Sequence, residues 1–469
     1  MINSRANLDA DPQRGNPGKA LSDQSVNELR RSLAGLLLLP QDDEYDKARH
    51  GFNALINRRP AVIARCKNAD DVATAFDFAR VHELEVAVRG GGHNPAGHCI
   101  CDGGLVIDLS LMRTVEVDAQ VRTARTQGGA TWLDFDTATQ AFGLATPGGV
   151  VVSTGVVGLS LGGGIGHLTA QYGLTCDHII RAEVVTPDGT LVHTSADENA
   201  DLLWGLRGAG GNFGVVTRLE FRLHPLKEVI GGRLVYRGTD VRETLLRYRD
   251  VVERSPRDLS CQVSLAIDES RVPILEIDPC YTGPDSDPDA LRVLRSAPGL
   301  IQDELRKLSF LDQQRVINTA YGEKRHYWKG HFVRELPDEL LDELLGRIAA
   351  LGRPPGGIMI ESLHGAPKDG DAPPGAVGFR HAAFNVSVMA VWQDPARDAE
   401  QIAWAREGAA AVEPWSYSGG GYVNYMQADE PIERVRAAFG AETFDRLRKL
   451  KQRYDPHNVL HRNQNIPPF

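Results

Sequence analysis

The 469-residue chain has few cysteines and no long apolar run. Its six cysteines, at 66, 99, 101, 176, 261 and 280, are scattered, which is no disulfide framework. Cys99 and Cys101 form a CxC pair in "HCICDGG", not the CxxC of a zinc or redox site, so all six read as reduced packing residues. The longest early apolar run, "LAGLLLLP", is far too short to span a bilayer, and the polar start "MINSRANLDADPQRGNPGKA" lacks the apolar core of a signal peptide. We read residues 1–22 as a mobile tail and the protein as cytoplasmic. Net charge is −10, with no basic tail and no Lys/Arg cluster interleaved with aromatics, so neither nucleic acid nor a membrane is an expected partner. Three signatures are missing as well: GxGxxG, GxxxxGK[ST] and HExxH. Their absence argues against a Rossmann site, a P-loop and a zincin, and no metal site is expected.

Glycine is what the chain has in quantity. Clusters stand at 90–92, 128–129, 162–164 with Gly166, 208–214 and 419–421. Glycine lets backbone approach a ligand closely, and successive free N–H groups can cradle phosphate. Any single cluster could be a turn. Four in the first half, most beside apolar runs, point to a large anionic ligand such as a dinucleotide. "GLSLG" at 158–162 satisfies the GxSxG nucleophile elbow with Ser160, but the three glycines that follow are a poor start for the helix an elbow needs.

The length implies two domains. In the first half, helical spacing of Val72, Ala75, Phe76 and Ala79 predicts a helix over 69–82. Strands follow in "EVAVR", "GLVIDLS", "TVEVDA", "RTARTQGG" and "GVVTRLEFRLHPL". "AEVVTPDGTLVHT" is a hairpin turning at Pro187, Asp188 and Gly189. After about residue 226 charged helical patterns appear, among them a helix over 337–351 that starts at Pro337 and Asp338. "GIMIESLHGA" and "FNVSVMAVW" are strands, 367–376 is a loop, and the chain ends in a basic amphipathic helix with an irregular tail. The class is α+β.

Read in order, these stretches resemble the FAD-linked oxidases of the berberine bridge enzyme type, in the vanillyl-alcohol oxidase and PCMH superfamily. "VAVRGGGHNPAG" resembles the pyrophosphate loop with its flavin-linking histidine. "TPGGVVVSTGVVGLSLGGGIGHLTAQYGLTCDHI" is similar to the central glycine motif, and "DLLWGLRGAGGNFGVVTRLEFRLHPL" to the segment closing the FAD domain. "YVNYM" and "YDPHNVLHRNQNIPP" resemble the C-terminal signature. The resemblance covers about residues 25–469. It implies a two-subdomain PCMH-type FAD-binding domain (23–225), a substrate domain with an antiparallel sheet covered by helices (226–420), and a C-terminal segment returning to the FAD domain (421–469). It also implies FAD contacts at Arg89, Gly90, Gly91, Gly92, His93, Asn94, Gly97, Gly128, Thr154, Gly155, Gly158, Leu159, Gly162, Gly163, Gly164, Gly166, Gly214, Val215, Val216, Tyr422 and Asn424.

By the same resemblance His93 attacks the 8α-methyl carbon of the flavin as a neutral imidazole. The second link of many relatives is missing, because its cysteine position is Val151 here and Cys176 does not match the motif. Thr154, near the ring edge in relatives, is small and leans towards an oxidase. The carboxylate of the plant alkaloid enzymes corresponds to Ser387, a poor base. Tyr422, flanked by Asn424 and Tyr425, matches a position used as base, provided its surroundings depress its pKa from about 10; otherwise it packs on the ring and orients substrate. His364 and His381 approach the substrate cavity but read as structural. Lys329 is given no catalytic role, and Trp392 reads as core. The implied reaction passes hydride from an alcohol or amine carbon of an alkaloid, sugar or polyketide-type molecule to the flavin, with O2 reduced to H2O2. A dehydrogenase using another acceptor, and a non-catalytic binding or resistance protein on the same fold, are the alternatives.

Overall fold

The computed structural model describes residues 21–255, 257–317, 322–350, 356–370 and 372–469. Of the expected tail, residues 1–20 lie outside the described residues, as do 351 of the expected helix and 371 of the expected loop. Three main sheets carry the mixed α+β architecture. The smallest has four strands in the order Leu36–Leu38, Val62–Arg65, Leu105–Asp108, Val86–Arg89, the last three mutually parallel. Helix Ala69–Val81 covers it, capped by Asn68, whose side chain accepts from Asp71 N. The apolar stripe expected of this helix is the buried one: Val72, Ala75, Phe76 and Ala79.

The second sheet is antiparallel throughout, ordered Val115–Asp118, Thr123–Gln127, Val215–Arg222, Ile179–Val185, Leu191–Thr194. Its last two strands are the expected hairpin. Asp188 Oδ1 accepts from Thr186 Oγ1 and Thr190 N, and Gly189 takes a φ of +84°.

The third sheet holds nine strands. Its main path runs Leu300–Asp303, Leu234–Arg237, Pro273–Tyr281, Leu259–Ile267, Gly356–Ser362, Phe384–Trp392, Arg325–Val333. Alternation along a strand sends neighbouring side chains to opposite faces. Val263, Leu265, Ile358, Ile360, Val386 and Val388 face a core shared with helices Val241–Arg254, Asp338–Ala349 and Asp398–Val412. The opposite face is mixed. There Gln262, Glu361, Asn385 and Phe332 stand in register across four strands. Met359, Ser387 and Trp328 share that face, and Phe332 joins a core with Phe379, Tyr422, Trp132 and Phe213.

Helices Ile432–Phe439 and Ala441–Tyr454 pack beside the second sheet. Lys451 is fully buried, and its ammonium is held by Asp455 (2.7 Å), Asn212 O (2.8 Å) and Leu460 O (2.9 Å). Among the described residues no helix is long and apolar enough to cross a membrane.

Candidate cofactor and active site

Strand Val86–Arg89 runs straight into the first glycine cluster. A Cβ on Gly91 would lie 2.4 Å from Gly155 N, and one on Gly155 would lie 2.6 Å from Gly91 N. The two loops therefore cross backbone to backbone, which only glycine permits at both positions. Gly90 closes on Gly128 O and Gly128 on Val216 O in the same way. Together they frame a cavity of about 200 Å³.

Of the residues expected at a cofactor, Gly90, Asn94, Gly128, Gly158, Gly214, Val215, Val216 and Asn424 line this cavity. Gly91, Gly92, His93, Thr154 and Gly155 lie at the loop crossing beside it, and Gly162 packs on Asn424. Gly163 and Gly164 have positive φ and adjoin Tyr422, whose oxygen accepts from Gly164 N. Leu159 O accepts from Asn424 Nδ2. Three residues have other occupations. Gly97 makes room for Ile56, Gly166 for the carbonyl of Gly148, and the Arg89 guanidinium donates to Ala48 O.

Sequence reading missed the far wall. Asn212, Arg462, Asn463 and Gln464 all line the cavity. Arg462 is buried; its Nη1 pairs with Glu85 at 3.0 Å, while Nε and Nη2 have no partner among the described residues. A Cβ added to Gly158 or Gly211 would meet nothing within 4 Å, so both open onto the space. Glycine backbone on one side and a buried cation with unused donors on the other fit the pyrophosphate of FAD.

His93 is half-buried, and desolvation pushes its pKa down to about 4, which keeps the ring neutral. Phe52 stacks on it at 4.6 Å and 20°, and Ser153 Oγ lies 2.8 Å from its Nε2. Phe52 stacks in turn on His326, and Trp328 meets Tyr425 edge-on at 5.4 Å.

Ser387 holds the place of the plant enzymes' carboxylate, and a buried carboxyl, Glu361, stands one strand over. Ser387 is buried and its hydroxyl reaches only Asn385 Oδ1, at 3.5 Å. Glu361, opposite Asn385, is 3% exposed. It accepts from Asn385 Nδ2 at 2.7 Å and from the Tyr425 hydroxyl at 3.2 Å. Burial raises its pKa to about 7 against these two hydrogen bonds. The requirement set for Tyr422 as base is not met. Burial, then the charge of Glu361, raises its pKa, and its oxygen already accepts from Asn424 Nδ2 and Gly164 N.

Ser160 lies inside helix Val156–Leu161, buried, donating to Val156 O at 2.6 Å, so it is not a nucleophile on an elbow. All six cysteines are free and buried. Burial raises the Cys176 thiol well above its ordinary range. His381 is exposed and His364 half-buried. Lys329 is held by Glu430 at 2.8 Å, and Trp392 is core with its indole N–H on Asp398.

Comparison with known proteins agrees with this cavity. The FAD binding domain family matches residues 60–195, and the "Berberine and berberine like" family matches 421–467. The protein is an FAD-dependent oxidoreductase. (R)-6-hydroxynicotine oxidase of Paenarthrobacter nicotinovorans is 30% identical over 93% of this chain and 97% of its own length. The crystal structure of 6-hydroxy-D-nicotine oxidase from Arthrobacter nicotinovorans superposes with a TM-score of 0.86 at 30% identity, over 93% of this chain and 99% of that one. A variant of berberine bridge enzyme has the same fold, with a TM-score of 0.84 at 19% identity over 96% and 100%. The chain belongs to the FAD-linked oxidoreductases of the berberine bridge enzyme type, with a PCMH-type FAD-binding fold.

Proposed function

We propose that the protein is an oxidase of a small-molecule amine, holding FAD through one covalent link at His93. The observation that carries the amine reading is Glu361, a buried carboxyl on the mixed face of the large sheet, tied to Tyr425 and Asn385. When bound, FAD supplies the hydride acceptor and hands the electron pair to O2, giving H2O2.

The chain's own residues supply the rest. Ionised Glu361 pairs with a substrate ammonium and accepts its proton, a task suited to a group titrating near 7. Trp328 and Tyr425 offer ring faces that favour a cation and an apolar skeleton. His326, on the same face, is kept neutral by burial. Tyr422, Asn424 and Gly164 form one hydrogen-bonded unit, which supports the orienting role for Tyr422. The neutral, stacked His93 has the form a nucleophile needs. Val151 in place of a cysteine supports a single link. The small Thr154 supports O2 as acceptor.

A screen of secondary and tertiary amines against matched alcohols, read as peroxide release, tests this. Peroxide from amines supports it. Turnover only with a quinone or dye favours the dehydrogenase reading. Tight binding without turnover favours a binding protein.

A further inference from the structure

We propose that Ser153 directs the attachment of FAD to His93, by holding the proton of the imidazole on Nε2 and leaving the lone pair on Nδ1 to form the bond. This rests on the covalent link proposed above.

The geometry is specific. The loops bearing the two residues cross at Gly91 and Gly155, whose backbones touch. His93 lies two residues beyond one glycine and Ser153 two before the other, and there the loops meet again, Oγ to Nε2 at 2.8 Å. Ser153 is pinned on both sides. Val152 O accepts from Leu133 N at 2.8 Å and Thr154 O from Trp132 N at 3.0 Å. Both donors belong to the first turn of helix Trp132–Gln140, where N–H groups have no partner inside the helix. The hydroxyl is thus carried by a segment tied down at either neighbour, and Phe52 fixes the plane of the ring it addresses.

A serine hydroxyl both accepts and donates, and the reaction uses both capacities. Before attachment a neutral imidazole donates Nε2–H to Ser153 Oγ, so its nucleophilic lone pair is on Nδ1. In the reaction the Nδ1–C8α bond forms and one C8α–H bond breaks, releasing a proton. The second proton leaves Nε2 by way of Ser153. The two electrons pass to dioxygen, which takes up two protons as H2O2. Nε2 then carries a lone pair, and Ser153 turns round to donate to it.

The test compares the purified wild type with Ser153→Ala, Ser153→Thr, Ser153→Cys and His93→Ala. Flavin retained in the acid-precipitated pellet measures the covalent fraction, and the flavin-bearing peptide shows by NMR which nitrogen is bonded. The expected result is full linkage through Nδ1 in the wild type and in Ser153→Thr. At least a fivefold lower covalent fraction is expected in Ser153→Ala, its flavin bound but released by acid. Wild-type linkage in Ser153→Ala, or attachment through Nε2 in the wild type, overturns the proposal. Should the alanine variant fail to fold, Ser153→Cys decides, because its weak hydrogen bonding must lower the covalent fraction and full linkage there overturns the proposal. A colourless wild-type pellet removes the His93 link itself and this proposal with it.

Discussion

The hydroxyl of Tyr425 donates to Oε1 of Glu361 across 3.2 Å, while Asn385 holds the other carboxylate oxygen. That hydrogen bond favours the ionised carboxylate, and burial opposes it. The kcat/KM of the enzyme should therefore rise with pH through an apparent pKa of about 7. Glu361→Gln should lower kcat by roughly 10²–10⁴-fold with the flavin spectrum retained. Tyr425→Phe should move the pH profile upward, since the anion loses a donor. Stability carries the matching sign. A carboxyl whose folded pKa is raised from 4.5 to about 7 contributes fully below 4.5, and that contribution is lost as pH rises through about 7. Thermal melts of Glu361→Gln should lack this slope.

Gly91→Ala tests the loop crossing. Its Cβ would sit 2.4 Å from Gly155 N and 2.6 Å from Gly155 Cα, both backbone atoms that cannot rotate away. Overpacking of this kind costs about 1–3 kcal/mol or more. Purified protein should be flavin-poor, read from the ratio of absorbance at 450 nm and 280 nm.

Arg462→Met removes a buried cation in the cavity wall, two of whose nitrogens have no partner among the described residues. A hydrogen bond to a charged group is worth about 1.5–3 kcal/mol. In a His93→Ala background, where FAD can exchange, its affinity should fall by roughly 10- to 150-fold, measured by titration of flavin fluorescence.

Lys451→Met leaves Asp455 buried without its partner and frees the carbonyls of Asn212 and Leu460. Breaking a buried pair from one side costs about 3–5 kcal/mol. The melting temperature should drop by several degrees, and restoring it by Asp455→Asn in the same chain would show that the orphaned charge was the cause.

Ser160→Ala is the contrasting case. Its hydroxyl makes one bond, to Val156 O within its own helix turn. Activity should stay within twofold and stability within about 1 kcal/mol. A large loss of turnover would revive a role for the GxSxG serine.

The sequence carried the elements well where local chemistry decides them. The Pro187, Asp188, Gly189 turn, the stripe on helix Ala69–Val81 and the strands Gly356–Ser362 and Phe384–Trp392 are all set by neighbours in the chain. The glycine wall was legible too, because a missing Cβ and a positive φ leave a mark in sequence. Glu361 was not, because its pairing with Asn385 depends on strand register, which no local pattern reveals. Arg462 was missed for a similar reason. The resemblance returns this segment to the FAD domain, but nothing in "LHRNQN" marks Arg462 as the partner of Glu85. The raised pKa of Tyr422 follows from burial, which only packing reveals.

The cavity's two walls come from opposite ends of the chain, Gly90 on one side and Arg462 on the other, with the nine-stranded sheet between them in sequence. Contacts of such separation form late, after their loop-closure entropy has been met. A cofactor between these walls would staple a seam that Arg462 and Glu85 already join. Its binding free energy adds to the stability of the whole fold, not of one lobe. Loss of the cofactor should open the molecule first at its C-terminal seam.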